Sequence, residues 1–319
     1  MSAGWRDLVL LPACLCWLAA CSDGGGCRID RPADLPLIKD ARLPAVQATL
    51  DGRKVVVLID TGARVSVVSR EAADLFALPL VENRFTLLSG INGTIQAPVA
   101  RIGRLGLGSG AAHDLELPVA GRFGRPVDGL PVLGLFGADF LSNYDVELDV
   151  PSQRFAMYRL RGCGGRLQPF DGLAFDMPFD LVDTKIVLDL RLDGAPIRGV
   201  LDSGAMGTVI TQDDARRAGV GASDLLADRP ARMIGIDMNP LAGRLHRFAS
   251  LQVGAEQLRN IPLAVGDTPR TLLGDDVLRF NRVWISYPRH LLFIQPVIPD
   301  RLRPGGRSSA APSKSQLAQ

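Results

Sequence analysis

The stretch VVVLIDTGA at residues 55–63 returns in the second half of the chain as GVLDSGA at residues 199–205. In both copies an apolar run leads directly into an Asp-Thr/Ser-Gly tripeptide. A Leu-Asp-Gly turn precedes each run, at residues 50–52 and 192–194. Two apolar, β-rich runs joined by a polar turn are typical of a β-hairpin. Each copy therefore predicts a hairpin whose second strand ends at the aspartate.

The duplication extends well beyond these two stretches. Both halves then carry, in the same order, a short helix-like segment, a glycine-bearing turn, an apolar-apolar-Gly stretch and two strands around a proline: residues 70–76, 89–93, 135–141 and 144–158 in the first half, and 212–218, 234–238, 272–278 and 283–294 in the second. Ser69 and Thr211 are the predicted N-caps of the two helices. Matched features at similar spacing predict two structural repeats.

We therefore expect an all-β, bilobal protein in which one chain forms two homologous β-barrel lobes with short helices. Abundant Gly and Pro, with few aromatic residues, favour short strands and many turns. The expected segments are a signal peptide at 1–20, a flexible tether at 21–31, an N-terminal lobe at 32–160, a linker at 161–168, a C-terminal lobe at 169–298 and a disordered tail at 299–319.

The paired tripeptides and the two later apolar-apolar-Gly stretches resemble those of the pepsin and retropepsin superfamily of aspartic peptidases. A single such tripeptide is commonly a surface turn, since Asp, Ser, Thr and Gly are all turn residues. Its repetition at the same place in a duplicated unit argues against that interpretation. Ala63 and Ala205, directly after the tripeptides, are closer to the retropepsin variant. The resemblance implies a bilobal acid-protease fold, cleavage of a protein or peptide substrate, and no cofactor.

The resemblance also implies roles for individual residues. Asp60 and Asp202 would share one proton and activate a water molecule, because two carboxylates about 3 Å apart cannot both ionise cheaply. Both aspartates lie in one chain, so a monomer could be complete. The support of the two loops would come from Thr61, Gly62, Ser203 and Gly204. The flap candidates, which could also be ordinary hairpin turns, are Gly90, Ile91, Asn92 and Gly93, and Gly235, Ile236, Asp237 and Met238. Asp139 and Asp276 are expected to be local helix caps.

Composition and spacing argue against several other classes of function. The formal net charge is +2, and the arginines are scattered rather than clustered, so no nucleic-acid partner is expected. The three histidines are isolated and lack zinc spacing, so no metal site is predicted. No Gly-x-Ser-x-Gly elbow is present for a serine nucleophile.

The N-terminal segment predicts export. An apolar run from Leu8 to Ala20 follows Arg6, and it is too short to span a bilayer, which needs roughly 20 apolar residues. Small residues directly before Cys21 resemble the lipobox of bacterial lipoproteins, which would make Cys21 the lipidated N-terminus. An ordinary signal peptide cleaved nearby is the alternative. The expected location is the bacterial cell envelope, anchored to the membrane by lipid and facing the periplasm, with the outer membrane favoured over the inner. Export would permit a disulfide between Cys27 and Cys163.

Two functions remain open at this point. The first is an aspartic endopeptidase that uses Asp60 and Asp202. The second is a non-catalytic binding or scaffolding lipoprotein that keeps the same fold. Intact aspartates in both halves favour the first, since a degenerate tripeptide in either half would have favoured the second.

Overall fold

The structure, a computed structural model, describes residues 27–91, 93–163, 167–235 and 239–297. The first half contains β1 (Arg28–Pro36), β2 (Ala45–Leu50), β3 (Arg53–Ile59), β4 (Val67–Val68), α1 (Arg70–Leu75), β5 (Leu80–Gly90), β6 (Gly93–Leu107), β7 (Gly110–Pro118), β8 (Val132–Phe136), α2 (Ala138–Leu141), β9 (Asp145–Asp149) and β10 (Arg154–Arg161).

The second half contains β11 (Phe175–Pro178), β12 (Asp180–Val182), β13 (Lys185–Leu192), β14 (Ala195–Leu201), β15 (Val209–Thr211), α3 (Gln212–Arg217), α4 (Ala222–Ala227), β16 (Arg229–Ile234), β17 (Pro240–Val253), β18 (Glu256–Gly266), β19 (Thr271–Leu273), α5 (Asp275–Leu278), β20 (Asn281–Ser286), a 3₁₀ turn (Tyr287–Arg289) and β21 (Leu291–Pro296). The prediction of an all-β, bilobal protein with short helices is confirmed.

Each half builds one sheet around its own hairpin. In the first, the strand order is β4-β8-β3-β2-β6-β5, with β7 paired to β6. In the second, the order is β12-β13-β14-β19-β15-β18-β17-β16. The strand before each Asp-Thr/Ser-Gly loop pairs in parallel with the apolar-apolar-Gly strand, Ile59 with Phe136 and Leu201 with Leu273. This shared pairing places the end of each apolar-apolar-Gly strand beside an aspartate-bearing loop.

The predicted helix N-termini are confirmed. The Ser69 hydroxyl accepts the Ala72 N–H at 2.9 Å, and the Thr211 hydroxyl accepts the Asp214 N–H at 3.0 Å. Each cap satisfies an N–H in the first turn that has no partner within the helix. The helix α4 was not predicted from the sequence.

A third sheet joins the two halves. Its strand order is β1-β10-β9-β20-β21-β11, so the central pairing of β9 with β20 crosses between the repeats. Val146, Leu148, Val283 and Ile285 are buried in the main core from this sheet. The lobes are therefore held together by continuous backbone hydrogen bonding and a shared core, as well as by the chain that connects them.

The predicted flexible tether at 21–31 is wrong for its last residues. Arg28 to Arg31 belong to β1, which pairs with β10 from Arg28↔Arg161 to Pro36↔Arg154. These polar residues suggested a linker, but an edge strand keeps exposed polar side chains while its backbone is paired. The same pairing extends β10 to Arg161, the first residue of the predicted linker.

Cys27 and Cys163, whose pairing the sequence left open, are bonded at the end of the β1–β10 pair. Their Cα atoms are 4.2 Å apart, because Cys27 directly precedes Arg28 and Cys163 lies two residues after Arg161, the residue of β10 that pairs with Arg28. The bond fixes the start of the described chain to the end of the first lobe. The predicted signal peptide, Cys21 and the tail at 299–319 lie outside the described residues.

Among residues 27–91, 93–163, 167–235 and 239–297, no helix has both the length and the apolar character needed to cross a membrane.

Candidate active site

The two Asp-Thr/Ser-Gly loops meet face to face where the lobes join. A methyl group on Gly62 would lie 2.5 Å from both carboxylate oxygens of Asp202, and one on Gly204 would lie 2.5 Å from the carboxyl carbon of Asp60. Both distances are far inside van der Waals contact. Only glycine at these two positions lets each loop approach the opposite aspartate so closely, as the sequence predicted.

Four reciprocal hydrogen bonds hold the loops together. The Thr61 N–H donates to Ser203 Oγ and the Ser203 N–H donates to Thr61 Oγ1, both at 3.0 Å. The Thr61 hydroxyl donates to the Leu201 carbonyl at 2.8 Å, and the Ser203 hydroxyl donates to the Ile59 carbonyl at 2.6 Å. Both side chains are almost fully buried. Each hydroxyl thus donates one bond and accepts one, which fixes the distance between the loops.

Backbone donors orient the two carboxyl groups. The N–H groups of Gly62 and Ala63 both donate to Asp60 Oδ1 at 2.9 Å. Asp202 Oδ1 receives one such bond, from the Gly204 N–H at 2.9 Å. Hydrogen bonds to a carboxylate favour its charged form. The unequal number of donors therefore favours placing the negative charge on Asp60 and the proton on Asp202.

The pKa values of the two aspartate carboxyls are shifted by burial and by each other. Burial raises the pKa of Asp60 above its ordinary value, although the Ala63 and Gly62 N–H groups oppose the shift. Burial, together with the negative charge of Asp60, raises the pKa of Asp202 further. Two such groups titrate as one coupled unit. The pair therefore keeps a proton to higher pH than an isolated aspartate would.

A second set of contacts supports each loop from below. Asp139 Oδ1 accepts the Ser66 N–H at 2.9 Å and the Ser66 hydroxyl at 2.6 Å. In the other lobe, Asp276 Oδ2 accepts the Thr208 N–H at 2.5 Å. The N-caps of the two helices are Gly137 and Gly274, so the expectation that Asp139 and Asp276 are local helix caps is wrong. Each carboxylate lies in a helix first turn but reaches across to brace the loop that follows the tripeptide.

The glycines of the apolar-apolar-Gly stretches pack under these loops. A methyl group on Gly137 would lie 2.8 Å from the Ala63 carbonyl, and one on Gly274 would lie 2.7 Å from the Ala205 carbonyl. The Ala138 N–H donates to Ala63 O at 2.8 Å. The sequence pointed to these stretches by their repetition. The Ser66–Asp139 pairing was missed, although a Ser or Thr six residues after each catalytic-loop aspartate was a signal that could have indicated it.

The role of the flap candidates remains a prediction. Gly90 pairs with Gly93 where β5 turns into β6, and Gly93 has a φ of 124°, which glycine adopts without strain. Ile91 is half-buried at this turn. Gly235 directly follows β16 in the second lobe. Asn92, Ile236, Asp237 and Met238 lie outside the described residues.

Two further residues near the pair were missed from the sequence. The negative charge of Asp60, together with burial, raises the pKa of the Tyr287 hydroxyl, which is buried. The positive charge of Lys185 acts in the opposite direction on the carboxyls, lowering the pKa of both Asp60 and Asp202. Neither residue stands in a motif, so only the fold brings them to the pair. In the part of the chain that the structure describes, no cluster of three or more His, Cys, Asp or Glu side chains is placed to hold a metal ion.

Comparison with known proteins agrees with this geometry. The family model described as gag-polyprotein putative aspartyl protease matches residues 46–143 and again residues 188–280, together more than half of the chain. Among solved structures, the chain is similar to a retropepsin-like aspartic protease from Rickettsia conorii, with 21% identity, a TM-score of 0.31, and coverage of 38% of this chain and 90% of that one. A search of curated proteins gave no match. The family model matches each repeat once and includes both Asp-Thr/Ser-Gly loops, so the chain belongs to this aspartyl protease family and, with it, to the retropepsin-like aspartic peptidases.

Proposed function

We propose that the protein is an aspartic endopeptidase in which Asp60 and Asp202 activate a water molecule to hydrolyse a peptide bond. The observation that carries the proposal is the meeting of the two loops, each aspartate lying against the glycine of the opposite loop. A binding protein has no need for two carboxyls whose pKa values are both raised by burial. Paired carboxyls with perturbed pKa values are instead suited to acid–base chemistry.

The proposed reaction uses the single proton of the pair. The ionised carboxylate, favoured on Asp60 by its two N–H donors, takes a proton from water as that water attacks the substrate carbonyl. The protonated Asp202 polarises the carbonyl oxygen and gives up its proton as negative charge develops there. Asp60 then gives the proton that it took from water to the amide nitrogen, a hydroxyl of the tetrahedral intermediate returns a proton to Asp202, and the C–N bond breaks to release the amine and the carboxylic acid. No covalent bond to the enzyme forms.

The decisive experiment incubates the purified chain with a diverse peptide library from pH 3 to pH 8 and maps cut sites by mass spectrometry. Asp60→Asn and Asp202→Asn are run beside it, with exposed Asp40→Asn as the matched control. Cleavage by the wild type and by Asp40→Asn alone supports the proposal. Cleavage that survives both substitutions at the pair contradicts the assignment. A folded wild type that cuts nothing favours the non-catalytic binding lipoprotein.

The location and anchoring are part of the same proposal. We expect a lipid on Cys21, which would hold the protein at the bacterial envelope with its cleft facing the periplasm. The Cys27–Cys163 disulfide supports an oxidising compartment, because disulfides are rare in the cytosol. Cys21→Ala should release the protein from the membrane fraction and abolish incorporation of labelled palmitate. A variant that stays in the membrane fraction would contradict lipid anchoring at this residue.

We also propose that the protein acts as a monomer, since one chain carries both aspartates and both supporting loops. Sedimentation of the lipid-free chain should give a mass of about one subunit over a range of concentrations at which it cleaves peptides.

A further inference from the structure

Lys185 is the first residue of β13, the strand that pairs with β14 just before Asp202. The strands β13 and β14 are antiparallel and pair Val187 with Val200. Continuing this register by two residues places Lys185 opposite Asp202, and opposed residues of an antiparallel pair present their side chains on one face. The alternating neighbours Ile186 and Leu188 are buried in the core. The Lys185 side chain therefore stands on the sheet face that carries the Asp202 side chain.

The ammonium group of Lys185 is available to a ligand. The side chain is half-buried, and within the described ranges no carboxylate lies at ion-pair distance from it. Burial raises the pKa of both Asp60 and Asp202, and the charge of Lys185 opposes that rise at both carboxyls without a direct ion pair to either. A positive charge beside the cleavage site, partly shielded from water and without a partner, favours a negative group on a bound substrate.

The first lobe has an apolar residue at the equivalent position. The strands β2 and β3 pair Ala45 with Leu58, and the same two-residue continuation places Leu43 opposite Asp60. Leu43 packs against an apolar cluster that also includes Ala63 and Val65, which follow the first tripeptide. The two sides of the aspartate pair thus differ in charge at matched positions.

The surface around Lys185 is more open than its counterpart. In the first lobe, Ala120 and neighbouring residues of the long connection between β7 and β8 cover this face of the sheet. The corresponding connection between β18 and β19 spans only residues 267–270, and it leaves a groove lined by Val187, Val200 and Arg270. The groove begins at Val187, two residues along β13 from Lys185, so the strand end that carries Lys185 borders open space.

Several charged side chains of the groove form ion pairs with one another. Arg270 pairs with Asp183 at 3.2 Å, in the turn that leads into Lys185. Farther along, Arg198 pairs with Asp189 at 3.2 Å and Arg217 with Asp214 at 2.6 Å. Lys185 adds a positive charge that acts on both carboxyls of the aspartate pair.

We propose that Lys185 selects substrates with an acidic side chain, Asp or Glu, beside the cleaved bond on the side of the C-terminal lobe, while Leu43 accepts an apolar side chain on the other side. This inference rests on the proposed peptidase function. It names the substrate class as peptides in which an apolar and an acidic residue flank the cleaved bond.

The test uses the full chain in detergent micelles and peptides based on a sequence that it cuts. Each flanking position is made Glu in one peptide and Gln in its pair, and kcat/KM is measured for both. The ratio within one pair is independent of how much of a variant is folded. The wild type should prefer Glu over Gln at one flanking position by roughly tenfold, a size expected for a partly shielded charge pair. Added salt should reduce the preference.

Three variants complete the test. Lys185→Leu, which copies the residue of the first lobe, should bring the Glu/Gln ratio close to one. Lys185→Glu should reverse it, so that a Lys-bearing peptide is cut faster than a Glu-bearing one. Lys54→Leu removes an exposed lysine from another strand and should keep the wild-type ratio. A wild-type ratio near one at both positions, or an unchanged ratio in Lys185→Leu, would overturn this inference alone. Failure of the folded wild type to cut any library peptide would overturn the proposed function as well.

Discussion

Replacing Thr61 with valine tests the link between the two loops, because it removes one hydroxyl and leaves shape and strand preference almost unchanged. The lost hydroxyl donates to the Leu201 carbonyl and accepts the Ser203 N–H, at 2.8 and 3.0 Å. Thr61 is 1% exposed, so water cannot replace either bond. A buried polar group left without a partner costs about 1–3 kcal/mol. Two such groups predict a loss of roughly 2–5 kcal/mol in the free energy of unfolding.

The assay is urea denaturation followed by tryptophan fluorescence, with Thr49→Val as the matched control. Thr49 is half-buried on β2, and no side-chain hydrogen bond is found for it among the described residues. Its replacement should change the free energy of unfolding by less than about 0.5 kcal/mol. The double variant Thr61→Val/Ser203→Ala should lose less than the sum of the two single losses, because both hydroxyls belong to one network. A Thr61→Val protein as stable as Thr49→Val would refute the reasoning.

Three further predictions concern the glycines of the two loops, the raised pKa of Asp202 and the buried carboxylate of Glu147. Gly62→Ala and Gly204→Ala should each lower peptide cleavage by on the order of a hundredfold, because a methyl group 2.5 Å from the opposite carboxyl displaces that carboxyl. Gly110→Ala should keep wild-type activity, because its methyl group would meet only Leu107 O at 3.5 Å. Equal cleavage by Gly110→Ala and by the two loop variants would contradict the prediction. Because the pKa of Asp202 is raised in the folded protein, its stabilising proton is bound at low pH and lost as the pH rises through that raised value. The melting temperature of the wild type should therefore fall relative to Asp202→Asn between pH 4 and pH 8, and a difference that is constant with pH would count against the shift. Glu147→Gln should destabilise the protein by about 3–5 kcal/mol in urea denaturation, because Glu147 is fully buried between Arg154 at 2.8 Å and Arg282 at 2.6 Å. Glu116→Gln changes a surface ion pair with Arg84 and should lower the free energy of unfolding by less than about 1 kcal/mol. Similar losses in the two variants would contradict the argument.

The sequence predicted the features that repeat. Asp60 and Asp202 stood out because the same tripeptide follows an apolar run in each half, and repetition also identified the stretches around Gly137 and Gly274. Fold class and the helix N-caps were accessible for similar reasons, whereas the sequence left the pairing of Cys27 with Cys163 open. Local sequence pattern and duplication are sufficient to predict a structural feature when the two copies of that feature have the same structural role.

The remaining features depend on contacts between distant segments. Lys185 is a single lysine in an ordinary strand, and only the register of β13 on β14 places it opposite Asp202. Glu147 alternates with apolar residues like any half-exposed strand position, but pairing of β9 with β20 buries it. Arg28 looked like part of a polar tether until its pairing with Arg161 was known. Side-chain type along the chain does not determine such pairings.

The central claim is that Asp60 and Asp202 of one chain form a single catalytic site. The most direct measurement compares cleavage of one identified peptide by the wild type, Asp60→Asn, Asp202→Asn and an equimolar mixture of the two variants. The account predicts cleavage by the wild type alone, because neither variant in the mixture holds both carboxyls. Activity in either single variant would contradict the role of the pair, and activity restored in the mixture would show that the site is assembled between chains.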